Sequence, residues 1–169
     1  MLACVDVDYR GSEGPAVASC VVCEDWDSSE SREEHVAFIS GVAPYAPGQF
    51  YQRELPCILQ VLAKVQAPLD AVLVDGHVWL DDRGSPGLGA HLYRALEEQV
   101  PVIGIAKSPF DSSRGQERVL RAESRRPLFV SAAGMDLDVA AENVRRMHGA
   151  HRIPTLLARA DQLCRRSMA

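Results

Sequence analysis

No apolar run in this sequence reaches membrane-spanning length, and no basic, apolar and small-residue leader pattern opens it. The expectation is a cytoplasmic protein with no membrane partner. There is no excess of positive charge either. Lys and Arg number 18 against 23 Asp and Glu, a net charge of −5, so nothing global announces a nucleic-acid ligand. Only the local field matters to a phosphate, however. Basic residues do gather locally, at 114–126, 145–152 and 165–166, while acids crowd 24–34. Repeats and low-complexity segments are absent. A disulfide framework is also missing, because the five cysteines are odd in number and irregular in spacing. Cys20 and Cys23 form a C-x-x-C, but they lie in an apolar run, 16–23, that reads as a strand. On a strand, positions i and i+3 face opposite sides, so these are expected to be buried, inert thiols.

The 169 residues present suit one domain, spanning 1–169, with a real core. Residues 2–9 and 16–23 read as a hairpin, and 35–42 alternates as a third strand. After a proline-bounded loop at 44–48, residues 50–66 show helical spacing, with Leu55, Ile58, Leu59, Leu62 and Val65 on one face and Pro56 early in the helix. Residues 69–75 form a short apolar run that ends in Asp75, Gly76 and His77, as a buried strand does at its mouth. A helix over 87–99 and a strand over 100–106 follow, the pattern of a right-handed β-α-β crossover with parallel strands. A late hairpin (118–122 and 128–132) and two helices (136–147 and 155–166) complete the chain. The fold class expected is α/β: a mixed sheet, three antiparallel strands followed by parallel ones, flanked by helices. That order of elements is similar to the ribonuclease-H-like fold.

Four acids stand where a backbone can gather them. Asp6 lies within the first strand, Glu54 in the first turn of a helix, Asp75 at a strand end and Asp161 on the last helix. An acid within an apolar strand is costly unless something pairs with it, which singles out Asp6 and Asp75. For Glu54 and Asp161 taken alone, a solvated surface acid is the plainer reading. Clustered carboxylates repel unless a cation or a shared proton intervenes, and hard oxygen ligands suit Mg²⁺ or Mn²⁺. Lys107 ends the strand Val102-Ile103-Gly104-Ile105-Ala106. It reads either as a phosphate or water partner or as a lysine snorkelling from a strand end.

Several segments, in order across nearly the whole chain, carry a specific resemblance. They are Cys4-Val5-Asp6-Val7, then Pro44-Tyr45-Ala46-Pro47-Gly48 with Arg53-Glu54, then Val74-Asp75-Gly76 and the helix start 87–91 with His91. Ile103-Gly104-Ile105-Ala106-Lys107-Ser108, Arg152-Ile153-Pro154-Thr155 and Asp161 follow. Together they resemble the endonuclease V family, metal-dependent nucleases that act at inosine. The resemblance implies a ribonuclease-H-like fold, Mg²⁺ (with Mn²⁺ as a substitute) and inosine-containing DNA or RNA as partner. It also implies cleavage beyond the inosine on its 3′ side, leaving 3′-hydroxyl and 5′-phosphate ends. Asp6, Glu54, Asp75 and Asp161 then take metal-centred roles, and Lys107 supports the phosphate or water. Tyr45, held by Pro44 and Pro47, is the expected wedge into the nucleic acid. Gly76, His77, Arg83, His91 and Ser108 are the expected substrate contacts, and a monomer is the expected state.

The chain departs from that family pattern after Asp75. Val78 stands where the family has a glycine close to the extruded base, and Asp81 where it has a histidine. The region after Lys107 is shorter than usual, and the usual helical segment before the first strand has no counterpart. Two other readings stay open: a catalytically weak nucleic-acid binder working through the basic segments 121–126 and 145–152, and a nuclease of the same fold with a different lesion or structure as substrate.

Overall fold

The computed structural model describes residues 1–11, 14–43, 49–110 and 115–168. Among these residues seven strands form one sheet. They are β1 (Leu2–Tyr9), β2 (Ala16–Cys23), β3 (Glu33–Ile39), β4 (Ala71–Asp75), β5 (Val102–Ala106), β6 (Glu117–Val119) and β7 (Leu128–Ala133), in the order β3-β2-β1-β4-β5-β7-β6. The helices are α1 (Tyr51–Leu62), α2 (Leu88–Ala95), α3 (Leu137–Arg146) and α4 (Thr155–Met168).

β1, β2 and β3 are antiparallel, whereas β1, β4 and β5 run parallel. The crossover expected between β4 and β5 is present, with α2 in between. The period-2 alternation of the strands sorts their side chains into two cores. Leu2, Cys4, Leu73, Ile103 and Ile105 pack beneath α3 and α4. Ala3, Val5, Val72, Val74 and Val102 pack beneath α1 and α2. Cys20 falls in the second core and Cys23 in the first, and all five cysteines are buried and free. The C-x-x-C is thus split across the sheet.

Element ends shift by a few residues, and one helix face differs from expectation. In α1 the buried residues are Arg53, Glu54, Cys57, Ile58, Val61 and Leu62; Leu55 and Leu59 lie at the margin. The helix is rotated so that a charged pair, Arg53 and Glu54, enters the interior. Pro56 is the sixth residue of the helix, in its second turn, on the exposed side. There the carbonyl of Gln52, which would have met its N–H, can turn to water.

The turn after β4 is fixed by two glycines. Gly76 has φ +150°, a region open essentially to glycine alone. Gly104, in the neighbouring β5, lies directly under that turn. A Cβ there would stand 2.6 Å from the Gly76 carbonyl oxygen, 2.9 Å from the Val78 nitrogen and 2.9 Å from Ser131 Oγ. Ser131 Oγ in turn accepts the Val78 N–H at 2.9 Å. Gly104→Ala is therefore expected to displace the loop after Asp75. It should cost about 1–3 kcal/mol in urea unfolding and slow cleavage as well. Unchanged stability and rate would show that the loop has room to move.

Candidate active site

β1 and β4 are neighbours with Val5 opposite Val74, so the next residues, Asp6 and Asp75, stand side by side, Asp75 at the carboxyl end of β4 and Asp6 midway along the longer β1. This is the crevice where ligands gather on open α/β sheets. α4 packs across the same face: Ser19 Oγ donates to the Ala160 carbonyl at 2.8 Å, and Cys164 Sγ donates to the Asp6 carbonyl. That contact places Asp161 over Asp6. Asp6, Asp75, Lys107, Asp161 and Arg165 line one cleft of about 150 Å³, floored by Val5, Ile105 and Leu157.

Glu54 reaches this centre from the opposite helix layer. It is only 8% exposed, so the plainer reading of it as a surface acid does not hold. Burial raises its carboxyl to about 8, reinforced by the negative charges of Asp6 and Asp75. Burial, then Asp75 and Asp161, raise Asp6 to about 7. Burial first, and the neighbouring acidic charges second, thus favour protonated Asp6 and Glu54 near neutrality. Beside Glu54, Arg53 lies over the Tyr9 ring at 4.4 Å.

Two cations occupy the remaining acids. Lys107 Nζ donates to Asp75 Oδ2 at 2.5 Å, which turns its head into the cleft. Arg165 donates to Asp161 Oδ1 from Nε at 2.9 Å. Among the described residues no three acid, histidine or cysteine side chains are yet close enough to hold one ion. In the sequence Arg165 stands out only as part of the basic pair 165–166, although its i+4 spacing from Asp161 on a helix is a usable signal of this contact.

A second pocket, of about 350 Å³, opens on the other side of Asp75. Gly76, His77, Leu80, Phe50, Tyr51 and Phe110 form most of its wall. His77 Nε2 is 3.2 Å from the Ser108 carbonyl, so Nε2 carries the proton and Nδ1 is an acceptor. Burial lowers the His77 pKa, and Nδ1 is buried with no partner among the described residues. Ser108 contributes its backbone here.

Other expected contacts are placed differently. Val78 is fully buried against Ala90 and Ala133, so its side chain leaves the pocket open. Asp81 accepts from the Arg83 and Ser85 N–H groups and from Ser85 Oγ, which makes it the organiser of its own turn. Arg83 is exposed on that turn and lines neither pocket. His91 stacks on Tyr51 at 3.6 Å and so braces the pocket wall from behind. Pro44 and Tyr45, the expected wedge, lie outside the described residues.

Three of the six arginines in the segments 121–126 and 145–152 are committed internally. Arg121 is buried and donates to the carbonyls of Met147, His148, His151 and Arg152. Arg152 donates to the Lys107 and Pro127 carbonyls, and Arg145 pairs with Glu142. The reading in which segments 121–126 and 145–152 grip phosphates loses these guanidiniums. Arg152 instead fastens the backbone that carries Lys107.

The family model for endonuclease V matches residues 1–119. The chain belongs to the endonuclease V family. Endonuclease V of Streptomyces avermitilis is 33% identical over 184 residues, covering 97% of this chain and 79% of that protein. A crystal structure of endonuclease V from the same organism superposes with a TM-score of 0.80 at 28% identity, covering 99% of this chain and 80% of the other. The fold is also that of Ciona intestinalis endonuclease V in complex with a 24mer DNA containing an inosine followed by a ribo-adenosine. There the TM-score is 0.81 at 20% identity, with 99% and 84% covered. This family member is accordingly an endonuclease with a ribonuclease-H-like sheet. Among its described residues no helix is long and apolar enough to cross a membrane.

Proposed function

We propose that the cleft hydrolyses the phosphodiester bond on the 3′ side of an inosine in DNA or RNA, with Mg²⁺ or Mn²⁺ held by Asp6, Asp75, Glu54 and Asp161. The observation that carries this reading is Asp6 beside Asp75, with Asp161 and Glu54 near enough that burial, and then the neighbouring acidic charges, raise Asp6 and Glu54 to about 7 and about 8. An all-oxygen donor set short of positive charge fits a hard divalent cation. Such a cation, when bound, would polarise the phosphoryl group and lower the pKa of an attacking water.

The chain's own residues do the rest. Lys107, released from Asp75, stands at the cleft wall to neutralise a non-bridging phosphate oxygen as charge builds there. Arg165, released from Asp161, lies on the same wall and can meet a second phosphate oxygen as a planar fork. The aromatic pocket beyond Asp75 takes the extruded base, with Phe50, Tyr51 and Phe110 supplying apolar contact. The His77 acceptor beside it is suited to a base N–H. The inosine-bound Ciona intestinalis protein supports that choice of base. An inosine opposite thymine is a mismatch, and a mismatched base costs less to draw from its stack into such a pocket.

The test uses end-labelled strands, with or without inosine, as DNA and as RNA, in Mg²⁺ or in chelator. Mg²⁺-dependent cutting displaced to the 3′ side of inosine is the expected result. Equal cutting of inosine-free strands would remove the specificity, and cutting in chelator would remove the metal.

A further inference from the structure

The face that carries Asp6 continues beyond the cleft. In the register of the first three strands, Asp6 lies opposite Ser19 and Ser19 opposite Val36; the next row up is Asp8, Val17 and Phe38. Residues i and i+2 of a strand share a face, and residues opposed across an antiparallel pair do too. Phe38 therefore projects on the α4 side, in the row just above Asp6. Strands are spaced about 4.8 Å apart, which puts its backbone roughly 10 Å from that of Asp8.

This ring is 71% exposed, the most exposed large apolar side chain among the described residues. It forms one wall of a groove of about 370 Å³, whose other walls include Val17, Arg10, Ser40 and Ser167. Ser167 and Arg165 belong to the same last turn of α4, so one turn of helix borders both this groove and the cleft. Arg10 lines the groove, and Arg165 and Arg166 are exposed on the adjoining helix turn, where Asp161, Asp8 and Asp6 are the acids that act on Arg165. A bare aromatic face with a cationic rim, continuous with a phosphodiester site, has the makeup of a single-strand platform. Addition of another strand to the β3 edge is opposed by Lys64, whose Nζ sits on the Val36 carbonyl at 2.6 Å.

We propose that the groove between Phe38 and the last turn of α4 is a base-stacking subsite for the unpaired nucleic-acid strand that runs into the carboxylate cleft. The inference rests on the reading of that cleft as a nuclease site. The subsite takes any base, because every base offers a π-face. It adds grip without adding sequence preference.

The experiment measures fluorescence anisotropy of a labelled single strand with a central inosine, in chelator, for the wild type, Phe38→Ala and Phe38→Trp. Phe38 is exposed, so both variants are expected to fold. Phe38→Ala should bind about tenfold more weakly and Phe38→Trp like the wild type. Trimming the strand from one end should abolish the difference. Equal affinity of all three proteins would overturn the subsite. So would a Phe38→Ala effect that appears only as a change in sedimentation, since the face would then join copies of this chain. Mg²⁺-dependent cutting of the same strand is scored separately. Cutting without a Phe38 effect on binding overturns the subsite alone. A Phe38 effect without cutting overturns the reading of the cleft.

Discussion

Asp75→Asn is expected to lower single-turnover cleavage by about a thousandfold, the scale seen when a preorganised electrostatic group is removed, while leaving strand binding within a few-fold. Asp75 ends β4 beside Asp6 and holds Lys107 at 2.5 Å. The amide keeps the shape and can still accept from Lys107, but it takes away the charge that a divalent cation requires. The fold should not suffer. Both partners of the Asp75–Lys107 pair are about half exposed, and ion pairs of that kind contribute roughly 0–1 kcal/mol. Loss of one negative charge from the cleft should, if anything, help a phosphate approach. Cleavage and anisotropy on the same labelled strand separate the two effects. A variant that cuts at the wild-type rate takes Asp75 out of the site. One that loses binding and cleavage together makes it a docking residue.

That expectation was within reach of the sequence because the physics at Asp75 is local. An apolar run that ends in a carboxylate and a glycine must be a buried strand that has just reached solvent. Asp6 followed from the same reasoning, since an acid inside a strand needs a reason to be there. The order of strands and the parallel crossover were legible too, because periodicity changes sharply between elements. Glu54 was not legible by itself. Helical spacing pointed to a face through Leu55 and Leu59, and only the packed helix shows Arg53 and Glu54 turned inward together. That rotation lays Arg53 over the Tyr9 ring, a long-range partner no window of sequence contains. Arg121 illustrates the opposite error. A basic segment looks like a phosphate grip until its carbonyl partners, some thirty residues on, are seen to use up the guanidinium. Val78 and Asp81 looked like damage to a base pocket for a related reason. Their side chains are committed to a small core and a turn, which leaves the pocket wall to backbone and aromatics.

The buried acids also predict how stability depends on pH. Glu54 and Asp6 are raised from about 4.5 and 3.8 to about 8 and about 7, first by burial and then by one another and their acidic neighbours. Between those limits the native chain binds more protons than the unfolded one. Stability must therefore fall as pH rises. The stabilising contribution is complete below about pH 4, declines through the window from about 4 to 8 and is gone above about pH 8. In chelator, melting temperature is thus expected to be higher near pH 5.5 than near pH 8.5, with the difference corresponding to a few kcal/mol. Mn²⁺ should reverse the trend, because binding a cation requires the deprotonated acids and releases their protons. The thermal shift produced by Mn²⁺ should accordingly grow as pH rises. Glu54→Gln should flatten the chelator profile, raise stability at pH 8.5 and weaken the Mn²⁺ shift. The measurement is a set of thermal melts across pH, with and without Mn²⁺, on both proteins. Wild-type melting that stays level or rises with pH in chelator would mean that Glu54 and Asp6 are already ionised in the metal-free fold. The case for a cation at this cluster would then lose its electrostatic basis.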